Sequence, residues 1–418
     1  MSLDLKVVRS QFPALEQPAI FLDAPGGTQV AKSCMERINR YYLESNANHG
    51  GNFLTSQASD RLVHDSHAAM ADFLHAASPG EIVIGHNMTT LTFAMSRSLG
   101  REFKPGDTIV VTRLDHDANI APWLLLAEDR GLNIRWVDFK PETGMLDLED
   151  MQAAIAEKPV LVAVGFAANG LGTINPVEQI TRLAHDAGAM VYIDAVQYGA
   201  HGAIDVQKLD VDFLVCSAYK FFGPHMGILY GKREHLERLT PYKVRPCADT
   251  IPDRWETGTG NFEHMGGLLG TLEYFEWLGR TYGEEYYEQL SGTYSGRALT
   301  FKMAAAALHA HEMELNQAML ETFESIPGAR VQGITDRRLL DQRVPTFSMT
   351  VDGWHPADLA TRLGKKGIYV WNGNFYALET TTRLGLEGRG GLLRIGAVHY
   401  NTLDEIRRTG EALREIVS

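Results

Sequence analysis

The chain contains few cysteines, and this scarcity argues against a protein stabilised by disulfides or by a zinc site. Its 418 residues include only three cysteines, Cys34, Cys216 and Cys247, which are scattered along the sequence. Three scattered cysteines form neither a disulfide framework nor a zinc site, so we expect reduced thiols and no metal centre. Reduced thiols are typical of a cytoplasmic protein, which is the localisation that we predict.

The chain also lacks an excess of positive charge and any long apolar run. Its net charge of -13 argues against nucleic acid as the main partner, because phosphate binding needs a basic surface. The longest apolar stretches, such as residues 160–168, are far shorter than the roughly 20 residues that cross a bilayer. The charged N-terminus has no apolar segment of the kind that secretory signals contain. We therefore expect neither a nucleic-acid partner nor a membrane partner.

The middle of the chain alternates short β-branched runs with amphipathic stretches. Strands are predicted at residues 82–84, 108–112, 134–137, 160–166, 190–193 and 213–217, and helices at 90–99 and 122–130. A further helix is predicted with Asn175 at its N-cap, Pro176 in its first turn and Gly188 after its end. This alternation predicts βαβ units and a mostly parallel sheet, whose ligands lie beyond the carboxyl ends of the strands.

The length of the chain predicts two domains rather than one. We expect a large domain over residues 21–290 and a smaller α+β domain over residues 291–418, with residues 1–20 packed on the smaller domain. Long helices are predicted at 267–287 and 292–311, and strands at 346–351 and 369–371. The sequence from His309 to Glu312 does not match the H-E-x-x-H zinc motif, and we interpret it as a solvated helix face.

Two polar residues that follow predicted strands suggest a cofactor. Asp194 ends a buried strand, where a carboxylate is costly unless it is paired, and a pyridinium N–H is one suitable partner. Lys220 follows the next strand amid apolar and aromatic residues, and desolvation there lowers the pKa as a Schiff-base amine requires. The alternatives are an ordinary helix-capping or metal-ligand aspartate and a surface lysine. The spacing of about one βα unit between the two residues favours the cofactor.

Two other strand ends carry residues that suit a flat, phosphorylated ligand. His116 follows the strand at 108–112 and can either stack on a ring or bond to a neighbouring carboxylate. The polar turn at residues 85–90 opens a helix, and its free N–H groups suit a phosphate. The turn matches neither the Walker A motif nor G-x-G-x-x-G, so the motif alone is weak.

Together these segments resemble the class V aminotransferase family of fold type I pyridoxal-5′-phosphate (PLP) enzymes, and most closely the SufS-type cysteine desulfurases. The resemblance is carried by segments in a fixed order: FLDAPGG (21–27), LDHDANIAPW (114–123), AANGLGTINP (167–176), YIDAVQYGAH (192–201), CSAYKFFGPHMGILYGK (216–232), RWETGTGN (254–261) and LLRIGAVHYNT (392–402). It implies an α/β fold with a mostly parallel seven-stranded sheet in the large domain and a smaller α+β C-terminal domain.

The resemblance also implies roles for individual residues. Those around the PLP ring are Lys220, which forms the Schiff base and moves the proton at the substrate Cα, Asp194 at the pyridinium nitrogen, Gln197 and Asn169 near the phenolic oxygen, and His116 on the ring face. Those around the phosphate are Ser217, Met88, Thr89, Tyr219 in place of the family's histidine, and Thr259 from the second subunit of a homodimer. Arg394 would bind the substrate α-carboxylate, which suits its bidentate guanidinium, with Asn169 beside the substrate.

The largest departure of the chain from the desulfurase pattern lies in one loop of the small domain. SufS-type enzymes carry an arginine and then a nucleophilic cysteine there, and the matching positions are Trp371 and Tyr376. A phenol with a pKa of about 10 is a poor acceptor of sulfur at neutral pH. The sequence therefore predicts β-elimination, a C–S lyase reaction, on an amino-acid substrate. Trp371 and Tyr376 either line an aromatic substrate pocket or simply pack the loop.

Several other functions remain open at the level of sequence. Transamination and epimerisation need no cysteine, and an external thiol acceptor would restore desulfuration. A non-catalytic scaffold is disfavoured, because it would be expected to lose Lys220, Asp194 or Arg394, and all three are present. A serine hydrolase is disfavoured because the chain has no G-x-S-x-G motif.

Overall fold

The computed structural model describes residues 3–418, and it divides them into short strands and longer helices. The fifteen strands in this part of the chain are β1 (Ile20–Phe21), β2 (Ile82–Gly85), β3 (Thr108–Thr112), β4 (Asn133–Val137), β5 (Phe139–Lys140), β6 (Met145–Leu146), β7 (Leu161–Gly165), β8 (Met190–Asp194), β9 (Phe213–Ser217), β10 (Gly227–Gly231), β11 (Ala329–Gln332), β12 (Thr346–Val351), β13 (Ile368–Tyr369), β14 (Trp371–Gly373) and β15 (Leu392–Gly396).

Helices pack against the strands of both sheets. Within the same residues the fifteen α-helices are α1 (Leu5–Arg9), α2 (Lys32–Glu44), α3 (Leu54–Leu74), α4 (Met88–Leu99), α5 (Ala121–Arg130), α6 (Leu148–Ala156), α7 (Val177–Asp186), α8 (Val206–Leu209), α9 (Arg233–Arg238), α10 (Phe262–Tyr282), α11 (Tyr287–Leu290), α12 (Gly296–Glu324), α13 (Pro356–Lys365), α14 (Leu378–Arg383) and α15 (Leu403–Val417). No helix in residues 3–418 combines the length and apolar character needed to cross a membrane.

The larger sheet has seven strands in the order β2-β10-β9-β8-β7-β3-β4. Strand β10 runs antiparallel to both of its neighbours, and the pairs on the β9 to β4 side are parallel. Strands β7, β9 and β10 are buried along their whole length, because helices cover both faces of the sheet. The predicted mostly parallel seven-stranded sheet is confirmed.

The smaller sheet is antiparallel, with strands in the order β11-β12-β15-β14. Its own hydrophobic core includes Phe323 from α12, Leu363 from α13 and Leu413 from α15. The predicted small α+β unit at the C-terminal end is therefore confirmed. The exact boundaries at residues 21–290 and 291–418 stay a prediction.

The N-terminal segment contacts both parts of the molecule. The ring of Phe12 packs edge-on against Phe222 and Tyr274, with ring centroids 5.5 and 5.1 Å apart, and against Tyr400 at 5.0 Å. Arg9 forms an ion pair of 3.0 Å with Glu405 at the start of α15. This segment therefore connects the large sheet's helices to the C-terminal helix.

Helix α7 begins one residue later than predicted. Pro176, not Asn175, occupies the N-cap, while Gly188 lies just past the C-cap with a φ of 84°, as expected. The Asn175 side chain donates to the backbone oxygen of Gly165 at 2.8 Å instead of capping the helix. Asn175 thus fastens the loop after β7, a tertiary contact that the local capping pattern does not contain.

The two long helices differ most from their predicted bounds. Helix α10 begins at Phe262 rather than 267, and its glycines allow α2 to approach closely, since a Cβ at Gly270 would collide with the backbone of Ser33. Helix α12 continues to Glu324 rather than ending at 311.

The prediction of a solvated face at residues 309–312 is wrong for two of its residues. His311 and Glu312 are buried, and the Glu312 carboxylate lies 2.9 Å from the Nδ1 atom of His201. Helix α12 passes from the core of the large sheet, which includes Leu308, into the core of the small sheet, which includes Leu315. Because both units cover this part of the helix, the side chains of His311 and Glu312 are buried.

Candidate active site

A cavity of about 670 Å³ lies beyond the carboxyl ends of the parallel strands, between the two units of the chain. A narrower slot of about 110 Å³ adjoins it. The residues that line both spaces are Thr89, His116, Asn169, Tyr219 and Lys220. Those that line only the slot include Met88, Asp194, Gln197 and Ser217. Those that line only the cavity include Trp371, Tyr376 and Arg394.

Lys220 lies in a short turn that follows β9 and is partly buried between slot and cavity. Burial lowers its pKa to about 7, the Arg394 guanidinium acts in the same direction, and the Asp194 carboxylate opposes both. The Nζ atom donates a hydrogen bond to the backbone oxygen of Pro25. A lysine with this pKa is largely an uncharged amine at slightly alkaline pH, the form that attacks a carbonyl.

Asp194 ends β8 and is buried against the slot. Burial raises the pKa of this carboxyl to about 6, although a hydrogen bond of 2.8 Å from the Val196 N–H and the nearby Lys220 both act to lower it. A buried carboxylate is most favourable when a cation or a strong donor pairs with it. Asp194 can therefore stabilise a protonated ring nitrogen in the slot.

His116 is an uncharged imidazole of defined tautomer. Its Nδ1 atom accepts the N–H of Ala118 at 3.0 Å, so its proton is on Nε2. Burial lowers its pKa to about 4, and both Lys220 and Arg394 add to this effect. Its ring stacks on Tyr376, with centroids 5.5 Å apart and an interplanar angle of 21°.

Arg394 in β15 is buried at the other side of the cavity. One guanidinium nitrogen donates to the Asn169 backbone oxygen at 2.9 Å, while the guanidinium carbon lies 4.1 Å from the Phe375 ring centroid. Its Nε atom is buried without a hydrogen-bond partner in the described chain. Trp371 lies directly opposite Arg394 in the β14–β15 register. Arg394 thus retains donors for an anionic group, beside an indole ring.

The loop from residue 374 to 377 holds aromatic side chains over the cavity. Phe375 and Tyr376 have positive φ values of 59° and 58°, a conformation that costs free energy in residues other than glycine. Contacts across the cavity hold them there. The backbone oxygen of Phe375 accepts the Asn169 amide at 2.8 Å, and that of Tyr376 accepts the Asp117 N–H at 2.7 Å.

The residues predicted to hold a phosphate lie along the slot. Met88 begins α4, which Asn87 caps by accepting the Thr90 N–H at 2.9 Å. Ser217 ends β9 and is buried. Tyr219 stacks on His225 with ring centroids 4.9 Å apart. The helix N-terminus and the serine therefore supply donors at one end of the slot.

Gln197 lines the slot, and its amide nitrogen donates to the Thr346 hydroxyl at 3.1 Å. Thr259 is the one predicted site residue that does not line the slot or the cavity. It is exposed and lines a separate cavity of about 280 Å³ together with Tyr242.

Several residues that line the site were not predicted from the sequence. Pro25, Gly26 and Asp117 belong to segments that carried the resemblance, so their positions beside the strand ends were an available signal. Phe93 lies partly buried on α4, and nothing in its local pattern distinguishes it from a packing residue.

No cysteine in the described chain lines the slot or the cavity. Cys34 and Cys216 are buried elsewhere and Cys247 is partly buried. Burial raises the pKa of the Cys34 thiol to about 11 and that of Cys216 further still. Both thiols are therefore protonated and poorly nucleophilic at neutral pH.

Comparison with known proteins places this architecture among related sequences. The Aminotransferase class-V family matches residues 20–297 and 295–409. A cysteine desulfurase of Synechococcus elongatus is 30% identical over 100% of the chain, which spans 64% of that protein's length. An aminotransferase-like protein of Gibberella zeae, FGM3, is 31% identical to this chain, and the match covers 100% of this chain and 99% of the length of FGM3.

A solved structure agrees with the observed fold. The apo structure of a cysteine desulfurase from Thermococcus onnurineus NA1 has a TM-score of 0.87 and 27% sequence identity, over 100% of this chain and 98% of that chain. Relatives of similar identity thus carry different names, and identity at this level does not select one reaction.

Proposed function

We propose that this chain, which belongs to the class-V aminotransferase family and has cysteine desulfurases among its relatives, is a PLP enzyme that eliminates a sulfur leaving group from an amino acid.

The residues of the slot fit PLP. A partly buried lysine of lowered pKa suits the aldehyde, and the buried carboxylate of Asp194 suits the pyridinium nitrogen. The N-terminus of α4 and Ser217 suit the phosphate. The Asn169 Oδ1 atom is buried without a hydrogen-bond partner in the described chain, which leaves it available to a ligand. Lys220, with its pKa near 7 and lining the same space as Asp194, is the observation that carries the cofactor assignment.

The reaction requires a group that binds the substrate carboxylate, a base and an electron sink. Bound PLP supplies the electron sink at the substrate Cα. Arg394 binds the α-carboxylate through donors that the protein leaves free, and this orients the Cα–H bond. The uncharged Lys220 amine accepts the Cα proton. Because His116 is uncharged, it does not repel the positively charged amino group of the substrate.

The elimination is balanced by one molecule of water. The Cα proton moves to Lys220, the Cβ–S bond breaks, and the bonding electron pair leaves on sulfur. The sulfur then takes the proton from Lys220 and is released as a thiol. Hydrolysis of the remaining three-carbon unit gives pyruvate and ammonium. Elimination is favoured over persulfide formation because Tyr376, a phenol, occupies the loop over the cavity, and no thiol in residues 3–418 lines it.

The test is a product assay on the PLP-loaded enzyme with cysteine and S-alkyl cysteines. Pyruvate, alanine and sulfide are measured together, with and without dithiothreitol. We expect pyruvate and thiol without alanine. Alanine with sulfide would instead indicate desulfuration through an external thiol acceptor and would contradict elimination.

The cofactor assignment is tested with Lys220→Ala. We expect this variant to lose the absorbance of the Schiff base and at least about a thousandfold in rate, since the base is removed. Lys140→Ala, at an exposed lysine, is the matched control and is expected to retain both. A Lys220→Ala variant that kept the Schiff-base absorbance would overturn the assignment.

The assembly that we propose is a homodimer with shared active sites. Thr259 lies outside the site of its own chain, where it lines a cavity with Tyr242, whose side chain is 55% exposed. Phe53 and Leu54 are also exposed apolar residues, at 57% and 82%. Large apolar side chains left in solvent by a single chain are typical of an interface.

A further inference from the structure

Asp117 is the one acidic side chain that lines the 670 Å³ cavity in the described chain. It follows His116 at the start of a short turn, Asp117–Asn119. Its carboxylate forms no hydrogen bond or ion pair with any described residue, whereas the carboxylate of Asp194 in the adjoining slot accepts the Val196 N–H. Asp117 is partly buried, so its carboxylate loses part of its water without gaining a partner in the described chain.

Asp117 forms no ion pair with Lys220 or Arg394, the two cationic residues that line the same cavity. Burial raises its pKa, and neither Lys220 nor Arg394 acts against that effect. By contrast, both of these cations lower the pKa of the adjacent His116. Asp117 is therefore a lining carboxylate that neither of these cations neutralises through an ion pair.

The cavity that Asp117 lines also has apolar and aromatic residues in its wall. They include Phe93, Pro122 and Tyr376. The Asp117 backbone is held to the loop by its N–H, which donates to the Tyr376 oxygen at 2.7 Å. A carboxylate beside aromatic faces is a favourable environment for an organic cation, since both attract positive charge.

We propose that this site selects amino acids whose sulfur substituent carries a cationic group, which Asp117 pairs with beyond the leaving sulfur. The proposal rests on the proposed elimination and names its substrate class. The α-carboxylate lies at Arg394, the sulfur lies near Lys220, and the distal ammonium lies between Asp117 and the aromatic wall. A neutral alkyl substituent of equal length leaves the carboxylate unpaired, and an anionic one is repelled.

The test compares S-(2-aminoethyl)-L-cysteine with S-propyl-L-cysteine, which has the same chain length without the charge. We expect the wild-type enzyme to prefer the aminoethyl substrate by about tenfold in kcat/KM. In Asp117→Asn this ratio is expected to fall to about one. Asp129→Asn removes the same charge from an exposed position on α5 and is expected to keep the wild-type ratio.

A second variant and a second readout keep the result interpretable. Asp117→Lys is expected to reverse the preference, so that S-carboxymethyl-L-cysteine becomes better than the aminoethyl compound. Binding is measured separately by the change in holoenzyme absorbance as each amino acid is added, and circular dichroism checks that the variants fold.

The outcomes separate this inference from the proposed function. If all substrates give pyruvate, elimination stands. The selection for cations is then overturned if the wild-type ratio of kcat/KM for the aminoethyl and propyl substrates is near one, or if Asp117→Asn leaves that ratio unchanged. If no substrate gives pyruvate, elimination fails. The absorbance titration then decides the inference. Tighter binding of the aminoethyl compound than of the propyl compound, lost in Asp117→Asn, supports it. Equal binding of the two compounds by the wild-type enzyme overturns it.

Discussion

At the scale of single residues, the site is governed by burial acting on charged groups in opposite directions. Burial lowers the pKa of Lys220 and raises that of Asp194, so the two groups approach each other in proton affinity. Both effects have one cause, because a low-dielectric wall disfavours whichever form is charged. The result is a lysine that is available as a neutral amine far below its usual pKa of 10.5.

This gives a prediction for the pH dependence of PLP uptake by the apoprotein. Only the uncharged amine forms the Schiff base, so the rate constant should rise as pH increases through about 7 and then level off. Stopped-flow absorbance across about pH 6 to 9 measures it, with free lysine and PLP as the reference reaction. A rate that still rises tenfold per pH unit near the upper limit would contradict the lowered pKa.

At the scale of elements, a glycine turn and a strand of the small sheet are fitted to each other. The short turn Ala24–Gly26 passes under β14, and a Cβ at Gly26 would collide with the Trp371 indole. The turn also carries the Pro25 oxygen that accepts the Lys220 amine. The indole in its present position therefore leaves no room for a side chain at position 26, and the two residues both line the cavity.

We expect Gly26→Ala to destabilise the protein by about 1–3 kcal/mol, because the indole must move. In a Trp371→Ala background the same substitution should cost much less, since the colliding ring is absent. Chemical denaturation of the four proteins of this cycle measures the coupling. Gly388→Ala, where a Cβ meets no atom within 4 Å, is the control. Equal costs in both backgrounds would show that the two residues are independent.

At the scale of the whole molecule, the proposed dimer accounts for the position of Thr259. We expect sedimentation of the holoenzyme to give twice the chain mass of 46.3 kDa. Mixing two variants then tests whether the sites are shared. A Lys220→Ala subunit paired with a Thr259→Ala subunit has one intact site per mixed dimer if Thr259 acts across the interface.

Retention of PLP after dialysis is the readout for this mixture. The mixed dimers should hold PLP more tightly than Thr259→Ala alone, because one site regains the wild-type hydroxyl. A monomer that keeps PLP tightly bound would contradict the dimer. A dimer whose mixture behaves as the average of its two parents would contradict the shared site.

Much of the architecture could be predicted because local patterns determine it. Alternating β-branched and amphipathic segments require a mostly parallel sheet, and chain direction then places the residues after β8 and β9 at one edge. The meeting of Asp194 and Lys220 could therefore be expected from their positions along the chain. Their proximity follows from topology alone, since neighbouring parallel strands end at the same side of a sheet.

Other features were decided only by tertiary structure. The register of β14 and β15 places Trp371 opposite Arg394, and the loop after β14 carries Tyr376 onto His116. Glu312 in helix α12 is buried because the hydrophobic cores of both sheets cover the helix there, although the local sequence is polar. The Asp117 carboxylate has no hydrogen bond or ion pair in the described chain, because the surrounding elements bring no donor or cation to it. The sequence determines which elements form, whereas distant packing determines which charges are enclosed and which remain available to a ligand.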